Sequence, residues 1–143
     1  QHKYLAYNYH TTNLPASLVN SQFTQLNKFI KKRKKIASIY DKYFLNIPEI
    51  NINFKNKKES IYYRYLIEIK DRDKLKEYFK NNNVGSGFGV LEGLHELYES
   101  RNNCKNTRKL LKNILSLPIY PTLKIDEVKR ICQLIKNYYK GNK

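Results

Sequence analysis

The sequence predicts an α+β domain in which a long N-terminal helix and three shorter helices pack on a small, mainly antiparallel sheet. Three observations point there. Apolar residues recur with helical period from Val19 to Phe44, the run IYYRYLIEI at 61–69 is β-branched and aromatic, and helical spacing returns in 71–83, 105–115 and 125–139.

The first helix rests on Val19, Phe23, Leu26, Ile30, Ala37, Tyr40 and Phe44, spaced by three, four and seven, with Phe29, Ile36 and Tyr43 widening the stripe. Pro15 suits its first turn and Asn13 its N-cap. Asn27 is the expected place for a bend, so the stretch reads as one helix or two joined end to end. Asn46 and Pro48 end it, because proline lacks the amide proton and restricts its predecessor.

Ile50, Ile52 and Phe54 alternate as a short strand would. Ile61, Tyr63, Tyr65, Ile67 and Ile69 share one face of the clearest strand, and Tyr40, Tyr63 and Tyr65 are read as core. Asp71 opens a helix carrying Leu75, Tyr78 and Phe79, which runs out in the asparagines at 81–83. A further strand is expected between Val84 and Val90, softened by the glycines of GSGFG. Lys105 to Leu115 and Ile125 to Tyr139 complete the helices, the last with Val128, Ile131, Cys132, Ile135 and Tyr139 on one side. Asp126 and Glu127 at its start and Lys136 and Lys140 near its end suit the helix dipole, whereas Lys124 is a poor N-cap. Residues 1–143 are expected to form a single domain without internal repeats.

Composition narrows the function classes. The 143 residues are 41% hydrophobic and 13% aromatic, which speaks against disorder. A formal net charge of +16 favours phosphates, nucleic acid or an acidic partner. The chain holds no Met and starts at Gln1, which suggests a fragment or a processed product. Cys104 and Cys132 stand apart from any CxxC and suggest no disulfide framework. No apolar run reaches the roughly 18 residues of a membrane span, so the expected setting is cytoplasmic with no membrane partner.

Most chemical motifs fail on spacing. GSGFG at 85–89 is neither GxGxxG nor a P-loop, and His95 in LHELYE lacks the second His of HExxH, so no metal site is expected. No Ser, His and Asp set has recognisable context. The basic run KFIKKRKK at 28–35 could meet a polyanion, but its charges fall opposite an apolar stripe and read as a solvated face. No nucleic-acid module is present, and nucleic acid is not the expected partner.

The stretch YNYHTTNLPASLVNSQFTQLNKFIKKRKKIASIYDKYF at 7–44 resembles the segment that opens the small C-terminal domain of the DegT/DnrJ/EryC1/StrS family of pyridoxal-phosphate-dependent sugar aminotransferases. Tyr7, Asn8, Tyr9 and His10 stand at the family's GYNYR motif, followed by Ala16, Arg33, Tyr40 and Asp41. VGSGFGVLEGLHELYE at 84–99 is similar to the family's strand, loop and His, and SLPIYPTLKIDEVKRICQLIKNYYK at 116–140 to its closing LP, YP and final helix. Ala6 and His10 depart from the usual Gly and Arg.

The resemblance implies the small domain of a fold-type I enzyme that transfers an amino group, with glutamate the expected donor, to a nucleotide-linked keto-sugar. Asn8 would reach across a homodimer interface to the pyridoxal phosphate of the partner subunit, and Tyr9, His10 and His95 would contact the sugar. The family's Schiff-base lysine lies in a large domain that these residues do not contain, so the isolated chain is expected to be catalytically silent and to hold no cofactor alone. The alternative is a stand-alone basic module that keeps this fold and binds nucleic acid or another polyanion.

Overall fold

The computed structural model describes residues 11–52, 59–90, 92–98 and 104–141. Its described elements run α1 (Asn13–Thr24), α2 (Leu26–Phe44), β1 (Tyr65–Glu68), α3 (Arg72–Asn81), β2 (Gly87–Phe88), α4 (Leu94–Leu97), α5 (Lys105–Asn113), β3 (Ile114–Leu117) and α6 (Ile125–Gly141). The α+β class holds, with a three-stranded sheet in the order β1-β3-β2, antiparallel throughout.

The long N-terminal helix is two helices joined end to end. The break falls at Gln25, two residues before Asn27, where the Gln25 amide turns back to the Gln22 carbonyl. Thr12, not Asn13, occupies the N-cap position, and no side chain closes that end. The expected strand at Ile50–Phe54 is reduced to a single bridge between Asn51 and Glu68, although Ile50 and Ile52 are buried as the alternation requires. Phe54 lies outside the described residues.

The register fixes two unlike sheet faces. Tyr65 pairs with Leu117 and Ile67 with Leu115, and all four side chains are buried on the side where α3 packs on β3. Leu66 and Ser116, paired on the opposite face, are half-exposed. α2 packs on α6 and α3 on α6, so the core is one cluster in which Ile36, Ala37, Tyr40 and Phe44 meet Val128, Ile131, Cys132 and Ile135 beside the sheet. The rings of Tyr40 and Phe44 stack with centroids 5.6 Å apart, and Tyr65 tilts against both, at 4.8 and 6.4 Å.

Two expectations are corrected. The helix read through Leu115 stops at Asn113, and Ile114–Leu117 is the central strand. The four residues ILSL, buried except for Ser116, are too short to show a period of their own, so they merged with the Leu110–Leu111 helical pattern before them. The strand read from Ile61 starts only at Tyr65. Tyr62 has φ 50, a left-handed conformation that breaks extended pairing, and Tyr63 is 72% exposed rather than core.

Helix ends are closed by means that the cap residues alone do not reveal. Lys124 offers no acceptor before α6, but Glu127 reaches back to accept its amide at 2.8 Å, which is half of a capping box. α3 ends with Asn83 left-handed at φ 56, the Val84 amide bonding Phe79 and the Asn83 amide bonding Lys80, with buried Val84 sealing the turn.

Candidate functional site

Asn8, Tyr9 and His10 lie outside the described residues, and the described chain begins just after them, at the approach to α1. His95 is described. It sits on the one-turn helix α4, at the end of the loop that leaves β2.

That loop is held at both ends. Arg64, beside the start of β1, donates through Nη1 to the carbonyls of Phe88 and Gly89 as the chain leaves β2. A Cβ on Gly89 would lie 2.5 Å from Ile114 Cδ1, so this exit runs flush over β3 and only glycine fits without displacing Ile114. At the far end the His95 imidazole lies against Gly93, where a Cβ would come 2.5 Å from its Cε1 and 3.0 Å from Leu111 Cδ1. The imidazole is thereby wedged against the backbone and close to α5.

The His95 side chain is 9% exposed. Its Nε2 is buried without a hydrogen-bond partner among the described residues, 3.8 Å from Glu96 Oε1, which lies 3.8 Å from Arg108 Nε as well. A buried ring nitrogen left unpaired carries a desolvation cost that a ligand hydroxyl or carbonyl would relieve. Among the described residues no cluster of three His, Cys, Asp or Glu could hold a metal.

The remaining residues of the 7–44 motif do structural work. Arg33 Nη1 reaches the carbonyls of Tyr62 at 3.0 Å, Tyr63 at 2.9 Å and Ile119 at 2.8 Å, tying α2 to the segments flanking β1 and β3. Tyr40 Oη donates to the Pro118 carbonyl at 2.9 Å, and Tyr65 Oη donates to Asp41 Oδ1 at 2.7 Å. Burial raises the pKa of both phenols, with the Asp41 hydrogen bond adding to the shift at Tyr65. Desolvation likewise pushes the Cys132 thiol up to about 12, so it is an inert core group.

Arg33 and Arg64 were not singled out as clamps by sequence reasoning. For Arg33 the signal existed: in the basic run it occupies the position that continues the stripe Leu26, Ile30, Ala37, Tyr40. Its planar fork of donors, which lysine lacks, suits several carbonyls at once. For Arg64 the pairing is across the sheet and leaves no local pattern.

An open groove of about 700 Å³ runs between α3 and residues 83–88, lined by Asp73, Lys76, Glu77, Lys80, Ser86 and Phe88 among others. It contains none of the expected site residues. Its charges alternate in sign, and Lys76 Nζ is occupied 3.5 Å over the Phe88 ring. The His95 loop is therefore the better candidate site.

Comparison with known proteins places the chain in a family and matches its fold to solved structures. The model of the DegT/DnrJ/EryC1/StrS aminotransferase family matches residues 1–136. GDP-perosamine synthase of Vibrio cholerae is 30% identical over 148 residues, covering 96% of this chain and 40% of that protein. GDP-perosamine synthase of Escherichia coli O157:H7 is 23% identical, with 96% of this chain and 39% of that protein covered. The chain thus spans about two fifths of the length of the curated relatives it matches. Among solved structures, DesV of S. venezuelae superposes with a TM-score of 0.88 at 15% identity, over 96% of this chain and 39% of that one. PseC of Helicobacter pylori, an aminotransferase involved in the biosynthesis of pseudoaminic acid, gives 0.82 at 19% identity, over 99% and 41%.

Proposed function

The chain belongs to the DegT/DnrJ/EryC1/StrS aminotransferase family, and from that premise we propose that residues 1–143 are the C-terminal small domain of a nucleotide-sugar aminotransferase that moves an amino group from glutamate to a keto-sugar. The observation that carries this reading is the family match across residues 1–136, colinear with about 40% of a GDP-perosamine synthase.

Pyridoxal phosphate, the cofactor this reading implies, does not fit the described residues by themselves. It requires a desolvated lysine and an acidic group at its ring nitrogen, and no charged side chain is buried among the described residues. We therefore assign the cofactor's covalent site to the three fifths of the architecture outside this chain and derive no chemical step here. What these residues would contribute is binding. Asn8, in the YNYH stretch, would donate its amide to the cofactor phosphate of a partner subunit in a homodimer, with Tyr9, His10 and His95 facing the sugar. The buried, unpartnered Nε2 of His95 supports that last role.

The test is a chimera in which residues 1–143 replace the matched portion of the Vibrio cholerae enzyme, assayed for formation of GDP-perosamine with glutamate. The expected result is turnover. Asn8→Ala in the chimera should weaken cofactor retention about ten- to a hundredfold, since a hydrogen bond to a charged group contributes roughly 1.5–3 kcal/mol. A well-folded chimera without activity, or a single borohydride-trappable pyridoxal adduct on the isolated chain, would overturn the assignment.

A further inference from the structure

The two outer edges of the sheet are finished differently. Beyond β1, Asn51 bridges Glu68 through two backbone bonds of 2.9 Å, and its Nδ2 donates to Glu68 Oε2 at 2.8 Å. β2, the opposite edge, pairs with β3 alone among the described residues. Leading into β2, the amides and carbonyls of Gly85 and Ser86 make no hydrogen bond among the described residues, and Ser86 Oγ is buried without a partner there. An open row of backbone donors and acceptors at a sheet edge is a template for one more strand.

Such edges are ordinarily defended by a charged side chain or a proline. Residues 84–88 carry neither, in a chain that is 28% charged. Gly85 and Gly87 lack a positive φ, and a Cβ on either would meet nothing within 4 Å, so neither a turn nor internal packing calls for glycine there, as packing against Ile114 does at Gly89. Glycine weakens a strand. The remaining physical reason for it is the close approach of another backbone from outside.

The groove of about 700 Å³ between α3 and residues 83–88 lies along this row. The register puts Phe88 on the face of Leu115, where α3 packs, and the ring is held under Lys76 Nζ at 3.5 Å and Arg72 Cζ at 4.7 Å. Asp73 is bonded to Arg72 at 2.9 Å, whereas Lys80, also lining the groove, is exposed and has no ion-pair partner among the described residues. In a chain of net charge +16 the surrounding field favours an acidic occupant.

We propose that this groove is a peptide-docking site in which an extended, acidic segment of a partner protein adds as a fourth strand beside residues 85–88. Its backbone pairs with Gly85 and Ser86, and one of its carboxylates meets Lys80. A main chain repeats donors and acceptors along its length, which is what the open row requires and what a free anion lacks. Rotation about χ1 turns the Ser86 hydroxyl toward the incoming strand. The site contains neither His95 nor any residue of the 7–44 motif, so it stands independently of the aminotransferase reading.

Amide NMR on the 143-residue chain tests this with a panel of blocked heptapeptides that alternate glutamate with valine, threonine or tyrosine. Main-chain pairing tolerates many sequences, so at least one should bind saturably, shift the Gly85, Ser86 and Gly87 amides and slow exchange there by about tenfold or more. The same peptide with proline between the glutamates keeps the charge but loses amide donors, and should bind at least about tenfold more weakly. Lys80→Glu should weaken the glutamate peptide by about tenfold and prefer its lysine counterpart. Lys80→Gln, which leaves the helix end uncharged, should weaken binding in the same direction. Failure of every peptide to saturate would overturn the proposal, as would equal binding of the proline form, an unchanged affinity in both Lys80 variants, or shifts centred on the α2 lysines. Protection at residues 85–87 that grows with chain concentration alone would overturn it too, because the occupant would then be a second copy.

Discussion

α1 and the C-terminal half of α2 carry the same kind of sequence signal and meet opposite fates. Both place large apolar residues at helical spacing. In α2, Ile36, Ala37, Tyr40 and Phe44 are buried against the sheet and α6, whereas α1 buries nothing. Periodicity therefore reports that a face was built for contact, not which surface it contacts. The difference lies in what anchors each helix: α2 has Arg33 and Tyr40 fastened to segments flanking β1 and β3 and Asp41 fastened to Tyr65 of β1, and α1 has no such tether among the described hydrogen bonds.

The largest effect should come from the buried side of this comparison. Phe44 is 1% exposed and packs against the rings of Tyr40 and Tyr65. Phe44→Ala removes that burial and leaves a cavity, at about 3–5 kcal/mol. Thermal unfolding should drop by about 10 °C or more for a chain of this size. A shift under 2–3 °C, read by calorimetry and taken against about 2–8 °C per kcal/mol, would mean that the α2–sheet contact does not hold the fold together.

Next in size is the contrast inside the basic run itself. Arg33→Lys keeps the charge but loses the fork that reaches three carbonyls, and should cost about 1.5–3 kcal/mol in urea unfolding. Lys32→Ala, on the exposed side, should stay within about 0.5 kcal/mol. Equal effects would show that the run acts as a charge block rather than as one clamp among solvated lysines.

Much of the fold was legible because its elements are long enough for period to decide: α2, α3 and α6 fall within a few residues of their sequence bounds. β3 was not, because ILSL is too short to show alternation and follows Leu110 and Leu111 without a break. The site was legible only in part. His95 could be picked out from its resemblance to a family motif, but its environment is made by Gly93 and by α5, which come together through the fold. Arg64 was invisible for the same reason.

Alkaline pH gives a smaller and graded test of the same buried seam. Tyr40, Tyr65 and Cys132 all have raised folded-state pKa values, from ordinary values of 10.0, 10.0 and 9.0, chiefly through burial. Their neutral forms are favoured in the folded protein, so this contribution is fully present below the unfolded values and is lost progressively as pH rises from them toward the raised folded ones. Melting temperature should be insensitive to these groups between pH 7 and 9 and fall beyond about pH 10. Tyr65→Phe should flatten part of that decline. An unchanged alkaline slope in Tyr65→Phe would place the titrating groups elsewhere.

The smallest effect is expected on α1, and its smallness is the informative part. Phe23 is 69% exposed, so replacing it returns little apolar surface to water. Serine and phenylalanine have similar intrinsic helix propensities, which removes the main confounding term. Phe23→Ser should therefore change unfolding free energy by no more than about 0.5 kcal/mol, although the same truncation at Phe44 is among the most damaging available. Urea unfolding of the two variants side by side measures the asymmetry directly. A loss at Phe23 approaching that at Phe44 would mean that α1 is already packed in the isolated chain, and the division between an anchored helix and an unanchored one would fall.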